Sequence, residues 1–163
     1  MLGDILIYDE GAFGYPGDEE FAVAASATLI YPGEPVAKAL GNSSGKVVAP
    51  AATATPVVGT NYYAGIAATT STNTSTAAGT VKVTKLVPGV TYLCAPTVAA
   101  SWDTQSEYDA LVGARVRFTL SGGVYTVDAT DNSTYGLVVE PLDIARYPGK
   151  VRFSIRSGVS YLS

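Results

Sequence analysis

A seven-residue stretch in the last part of the sequence places the strongest constraint on the fold. Between Lys150 and Arg156 polar and apolar residues alternate strictly, with Val151, Phe153 and Ile155 on one side. A period of two residues is typical of a β-strand that buries one face and exposes the other. Burial of each apolar side chain contributes about 1.5–3 kcal/mol, whereas ordering each backbone unit costs about 1–2 kcal/mol. The rest of the chain must therefore cover this strand.

Other parts of the sequence repeat the strand pattern. From Arg115 to Leu120 every second residue is apolar, and the Ser-Gly-Gly at 121–123 suits a hairpin turn. About ten such short runs are separated by turn residues, which is typical of a β-barrel or sandwich. One short helix is expected at about 104–112, capped by Asp103 or Thr104 and ended by a glycine. We therefore predict an all-β fold, a compact barrel or sandwich with one short helix.

The first twenty residues differ from the rest. Glycines interrupt any long element there, yet four large apolar residues are spaced along the stretch, namely Ile5, Ile7, Phe13 and Tyr15. A tail without a docking surface would not need such residues. We predict that residues 1–20 form an extended N-terminal arm with these four anchors, and that residues 21–163 form a single β-rich body. The alternative is an arm that folds back as an edge strand of its own body.

Charge is distributed unevenly along the 163 residues. The net charge is -4, and residues 1–34 contain acids but neither Lys nor Arg. Five bases form outward rows on two predicted strands, namely Arg115, Arg117, Lys150, Arg152 and Arg156. We interpret these rows as a solvated face or as an interface for the acidic arm or another acidic surface. The bases are too dispersed to predict nucleic-acid binding.

Few residues are suited to catalysis. The chain has no histidine and one cysteine, Cys94, so the commonest general base and the usual zinc ligands are missing. Asp128, Asp131 and Asn132 have the composition of a calcium loop but not its spacing, which favours a hairpin turn. We predict no enzyme activity, no cofactor and no metal. Trp102 is interpreted as a packing anchor or an interface residue.

No stretch approaches the length of a membrane span, and Ile5–Ile7 is too short for a signal-peptide core. We therefore expect synthesis in the cytoplasm and no membrane partner.

Several segments together resemble tailed-bacteriophage capsid decoration proteins, which are also called cement or head-stabilising proteins. These segments are NYYAGIAAT (61–69), GTVKVTKLVPGVTYLCAP (79–96), YDALVGARVRF (108–118), GLVVEPLD (136–143) and PGKVRFSIR (148–156). The resemblance implies a compact β body on the outer surface of the virion head, made in the host cytoplasm. It implies two partners, the major capsid protein and neighbouring copies in a homotrimer. It also implies that the N-terminal arm adds a strand to the shell or to a neighbour.

Two other functions remain open from the residues alone. A virion or cell-surface glycan-binding adhesion module would use the Thr- and Asn-rich segment 70–78, expected to be an exposed and mobile loop, with Tyr62 or Tyr63 stacking on sugars. A tail-tube or shell subunit would instead assemble without a preformed head.

Overall fold

The computed structural model of the chain describes residues 5–9, 17–39, 61–121 and 124–157. The strands in these ranges are β1 Leu6–Asp9, β2 Asp18–Val23, β3 Pro35–Ala39, β4 Asn61–Ala67, β5 Gly79–Lys85, β6 Thr91–Cys94, β7 Arg115–Ser121, β8 Val124–Asp128, β9 Leu137–Val139 and β10 Val151–Ile155. The helix α1 spans Gln105–Leu111, and a 3₁₀ turn spans Ala99–Ser101. The predicted all-β class with one short helix is confirmed. A further strand candidate at 46–49 lies outside the described residues.

The strands form two antiparallel sheets. The larger has the order β1-β6-β10-β9-β7-β8, and the smaller has the order β2-β5-β4-β3. The segment after β6 covers the edge of β8 through one parallel bridge, Pro96 to Val127. Neither sheet is closed into a barrel, so the architecture is that of a sandwich. Tyr63 of β4 packs into the core of the larger sheet and meets Phe118 edge to face at 5.5 Å.

The alternating sequence of β10 gives the strand one buried face, as predicted. Val151, Phe153 and Ile155 are buried, while Arg152 is half-buried on the other face. The strand lies inside the larger sheet, between β6 and β9. The ring of Phe153 meets that of Phe118 edge to face at 5.3 Å. Strand β10 is therefore a central element of the core.

The smaller sheet has its own apolar cluster, to which Phe21 and Val23 contribute. The loose alternation of apolar residues from Phe21 to Tyr31 predicts a strand there, but β2 ends at Val23. Three residues on, Ser26 has a left-handed backbone with φ 60°. The chain turns there, and Ile30 returns to the cluster fully buried. The alanines of this segment therefore lie in a loop.

Two described parts of the predicted N-terminal arm belong to the sheets. Strand β1 pairs with β6, and β2, which begins at Asp18, pairs with β5. Ile5 packs against the larger core, and the backbone of Ile7 pairs with Tyr92. For residues 6–9 this is the alternative in which the arm folds back as an edge strand. Phe13 and Tyr15 lie outside the described residues.

Candidate interaction surface

The predicted basic rows are occupied by contacts within the chain. Arg117 forms an ion pair with Asp128 across the β7–β8 ladder, with 3.5 Å between Nη2 and Oδ2. Its guanidinium also lies 5.1 Å from the ring centre of Tyr135. Arg156 donates from Nη1 to the carbonyls of Ser133 and Tyr135, at 2.9 and 3.1 Å. Arg117 and Arg156 thus converge on one loop and hold it against the sheet.

The other two arginines of the rows lie apart from that loop. Arg152 donates from Nε to Thr91 Oγ1 at 3.2 Å and from Nη1 to the carbonyl of Pro141 at 3.1 Å. Arg115 has an exposed side chain. Arg117, Arg152 and Arg156 thus already contact backbone carbonyls, one hydroxyl and one carboxylate of their own chain, and a role of these residues in an interface stays a prediction.

The described acids of the N-terminal segment do not lie on these arginines either. Glu19 Oε2 pairs with Lys85 Nζ at 2.6 Å, and Asp18 Oδ1 accepts from Thr84 Oγ1 at 2.7 Å. Both partners are on β5, the neighbour of β2 in the smaller sheet. The side chains that contact these two acids therefore belong to their own sheet.

The calcium-like segment is a turn whose oxygens accept from the protein. Asp128 Oδ1 accepts from the backbone and the hydroxyl of Thr130, and Asp131 Oδ1 accepts from the backbone N–H of Arg115 at 2.7 Å. Asn132 Oδ1 accepts in the same way from Thr134. These contacts agree with the interpretation as a turn, but the turn is not the predicted hairpin, because β7 lies between β8 and β9 in the sheet.

Two residues considered for chemistry or contact are buried. Burial raises the pKa of the Cys94 thiol to about 12, so the sulfur is protonated at neutral pH. Trp102 is only 4% exposed and packs near Tyr108, with ring centres 5.7 Å apart. Trp102 therefore packs in the core of the larger sheet, and only a small part of it is exposed.

Tyr63 is fully buried, and burial raises its pKa. The expectation that Tyr63 stacks on a sugar is therefore wrong, because a ligand cannot reach the ring. The side chain of Tyr62 is outside the described part of the chain.

The exposed surface with the most distinctive chemistry lies at one end of the smaller sheet. It is formed by residues 24–33 and 68–80, here called the uncharged loop pair. Neither segment contains a charged residue. Among the described residues few large apolar side chains are exposed, and two of them are found here, Leu29 at 39% and Tyr31 at 43%.

Hydrogen bonds join the outer parts of the two loops. The backbone N–H of Ser26 donates to the carbonyl of Thr74 at 2.9 Å, and its hydroxyl donates to the carbonyl of Ser75 at 2.6 Å. Ser26 makes both bonds from a left-handed backbone conformation. A cleft of about 310 Å³ lies here, and Leu29 forms part of its wall.

The inner parts of the loops are joined by buried polar groups. Ser71 and Asn73 are 5% and 4% exposed. Ser71 Oγ accepts from the backbone of Ile30 at 3.0 Å and donates to Asn73 Oδ1 at 2.7 Å. Asn73 Nδ2 donates to the carbonyl of Ala27 at 2.8 Å. Most of the segment 70–78 is exposed, as predicted. The paired buried groups of Ser71 and Asn73 fix the local structure, which argues against the predicted mobility.

The sequence did not predict this surface, because the polar composition of residues 70–78 was interpreted as a sign of a flexible loop. The available indication was the absence of charge at 21–33 and 61–81 in a chain whose net charge is -4. Interface cores are depleted in charged residues, so this absence is informative.

Within residues 5–9, 17–39, 61–121 and 124–157, no group of three or more Cys, Asp or Glu side chains could hold a metal ion. In the same ranges no helix is long and apolar enough to cross a membrane. Comparison with protein-family models, with curated proteins and with solved structures finds no match for this chain.

Proposed function

We propose that this chain is a non-enzymatic structural protein of a tailed-phage virion. In this proposal it binds the outer surface of the head and clamps neighbouring capsid subunits. The observation that carries the proposal is the uncharged loop pair, a preorganised and partly apolar surface. The sequence resemblance to decoration proteins supplies the identity of the partner, the major capsid protein.

The loop pair has the physical properties that such a contact needs. Its hydrogen bonds already order both loops, so binding loses little further conformational entropy. Charge is absent, so no charged group has to be desolvated. Leu29 and Tyr31 can each bury apolar area, at about 25 cal/mol per Å². A single contact of this size is weak, and repetition over many shell positions makes adhesion strong.

Self-association would add to this effect. A closed trimer presents several loop pairs at once, and closed symmetry is the usual form of soluble homo-oligomers. We therefore propose neighbouring copies of the chain as the second partner. Phe13 and Tyr15 remain proposed anchors to the capsid or to a neighbouring subunit.

The structure changes the role that the N-terminal arm can have in capsid binding. Strand β1 already pairs with β6 of its own chain. Because β1 is an edge strand, a shell strand could pair with its outer side while the pairing with β6 stays intact. A deletion of residues 1–20 would also remove an edge strand and the first half of β2. Such a deletion would disturb the body as well as binding, so surface substitutions are the better test.

The direct test is co-sedimentation of the full chain with heads assembled from the major capsid protein encoded in the same genome. We expect saturable binding to expanded heads at a fixed number of copies per head. Absence of binding to such heads would refute the proposal. Binding on a glycan array without affinity for heads would support the adhesion module, and spontaneous polymers would support a tail-tube or shell subunit.

A further inference from the structure

A second concave site lies beside α1, away from the loop pair in sequence. It is a cleft of about 240 Å³, here called the Trp102 cleft. Apolar residues form most of its wall, namely Pro96, Ala99, Ile144 and Pro148. Trp102, Asp103 and Gly149 complete it. The volume is below the range of about 300–1,000 Å³ that is usual for small-molecule sites, and it suits one or two side chains of a peptide.

The indole of Trp102 lacks a hydrogen-bond partner. Its Nε1–H is buried and donates to no acceptor in the described part of the chain. Buried indole N–H groups usually have a partner, and leaving such a donor unpaired costs about 1–3 kcal/mol. An acceptor brought to this group by a ligand would recover that free energy.

The rim of the cleft is negatively charged. Asp103 is exposed, and its side chain is hydrogen-bonded to Glu107, which raises the pKa of Asp103. Neither carboxyl group forms an ion pair with a described Lys or Arg. Arg146, two residues after Ile144 in sequence, does not line the cleft, and its guanidinium lies 5.7 Å from the ring centre of Tyr147. A cation supplied by a partner would therefore find two adjacent carboxyl groups without a counter-ion.

We infer that the Trp102 cleft binds an extended segment of a partner protein in which an aliphatic residue is followed by Lys or Arg. The aliphatic side chain fills the apolar cleft. A backbone carbonyl of the segment accepts from Trp102 Nε1–H, and the cationic side chain lies at Asp103 and Glu107. This inference does not depend on the proposed capsid contact, which uses a different surface.

The single tryptophan makes the inference directly measurable, because the ¹⁵N–¹H correlation spectrum contains one indole cross-peak. The probe is the peptide acetyl-Ala-Ile-Lys-amide, titrated into the full chain. We expect the indole proton to move downfield and to saturate as its hydrogen bond forms. The peptide acetyl-Ala-Ser-Lys-amide should bind about 10–100-fold more weakly, because it lacks the buried aliphatic group. The peptide acetyl-Ala-Ile-Glu-amide should also bind more weakly, because its charge is repelled.

Two matched variants test the charged part of the site. Asp103→Asn should weaken binding of acetyl-Ala-Ile-Lys-amide by about 2–5-fold, which is the value of an exposed ion pair. Asp109→Asn makes the same change of charge at a residue that contacts Gln105 outside the cleft, and should leave the affinity unchanged. An indole peak that does not move, equal responses to the three peptides, or equal effects of the two variants would each overturn the inference.

Discussion

The hydroxyl of Tyr108 links the helix to the larger sheet, and its removal tests how the fold is held together. Tyr108 is fully buried on α1. Its hydroxyl accepts from the backbone N–H of Arg152 at 3.0 Å and donates to the carbonyl of Glu140 at 2.9 Å. Tyr108→Phe keeps the ring and leaves these two backbone groups without that partner.

The expected loss of stability follows from those two hydrogen bonds. An unpaired donor or acceptor costs about 1–3 kcal/mol when buried. Since the site of Arg152 N–H is only partly buried, we expect the lower half of that range, about 1–2 kcal/mol. For a chain of this size this corresponds to a Tm decrease of about 2–8 °C. Urea unfolding should show a lower midpoint with an unchanged slope.

The matched control is Tyr31→Phe, because Tyr31 is 43% exposed. This substitution should change the free energy of unfolding by no more than about 0.5 kcal/mol. Hydrogen exchange adds a local measurement, since the Arg152 amide should lose protection in Tyr108→Phe alone. Wild-type stability together with a protected Arg152 amide would refute the reasoning.

Further predictions concern the cap, the loop pair and the thiol. Thr104→Ala removes the capping box of α1 and should lower the free energy of unfolding by about 1 kcal/mol in thermal unfolding at pH 7. The hydrogen bond from Thr104 also lowers the pKa of Glu107 below 4.5. This contribution is present above the ordinary pKa of a glutamate and is lost as the pH falls through the lowered pKa of the folded state, so the deficit should shrink as the pH is lowered in acid; a constant deficit would contradict the assignment. Gly79→Ala places a Cβ against the backbone of the facing loop and should cost about 1–3 kcal/mol, whereas Gly17→Ala meets no atom within 4 Å; equal stabilities would contradict the close approach. Cys94 should react with a thiol reagent at pH 8 only in denaturant, because burial raises its pKa to about 12, and rapid labelling of the folded chain would contradict its burial.

Local pattern was sufficient to predict the elements that depend on nearest neighbours. The alternation around Phe153 depends only on the period of a strand, and the helix start depends on Thr104 and Glu107, three residues apart. Both predictions are confirmed. Such patterns identify the buried face of an element without identifying what covers it.

The use of the arginines could not be predicted from the sequence. Arg156 contacts the carbonyl of Ser133, 23 residues away in sequence, and Arg152 contacts Thr91, 61 residues away. Alternation correctly placed both side chains on the polar face of β10. Their acceptors are backbone carbonyls and one hydroxyl, which carry no charge pattern that a sequence could show.

The loop pair was missed for a related reason. Ser71 and Asn73 belong to a polar, low-complexity segment, and polar composition is usually associated with exposed loops. Here their side chains are buried because Ile30 and Ala27 bring backbone groups to them from more than 40 residues away. A polar residue that satisfies distant backbone groups cannot be distinguished by composition from one that faces water.

The central claim is that the uncharged loop pair contacts the capsid. Its most direct test is the affinity of Leu29→Asp for expanded heads, measured beside Val112→Asp. The two residues are matched in exposure, at 39% and 38%, and Val112 lies at the end of α1, outside the loop pair. We expect Leu29→Asp to lower the affinity at least about tenfold, since burial of one such side chain contributes about 1.5–3 kcal/mol, and Val112→Asp to bind like the parent chain. Equal binding by the two variants, with both folded, would contradict the claim.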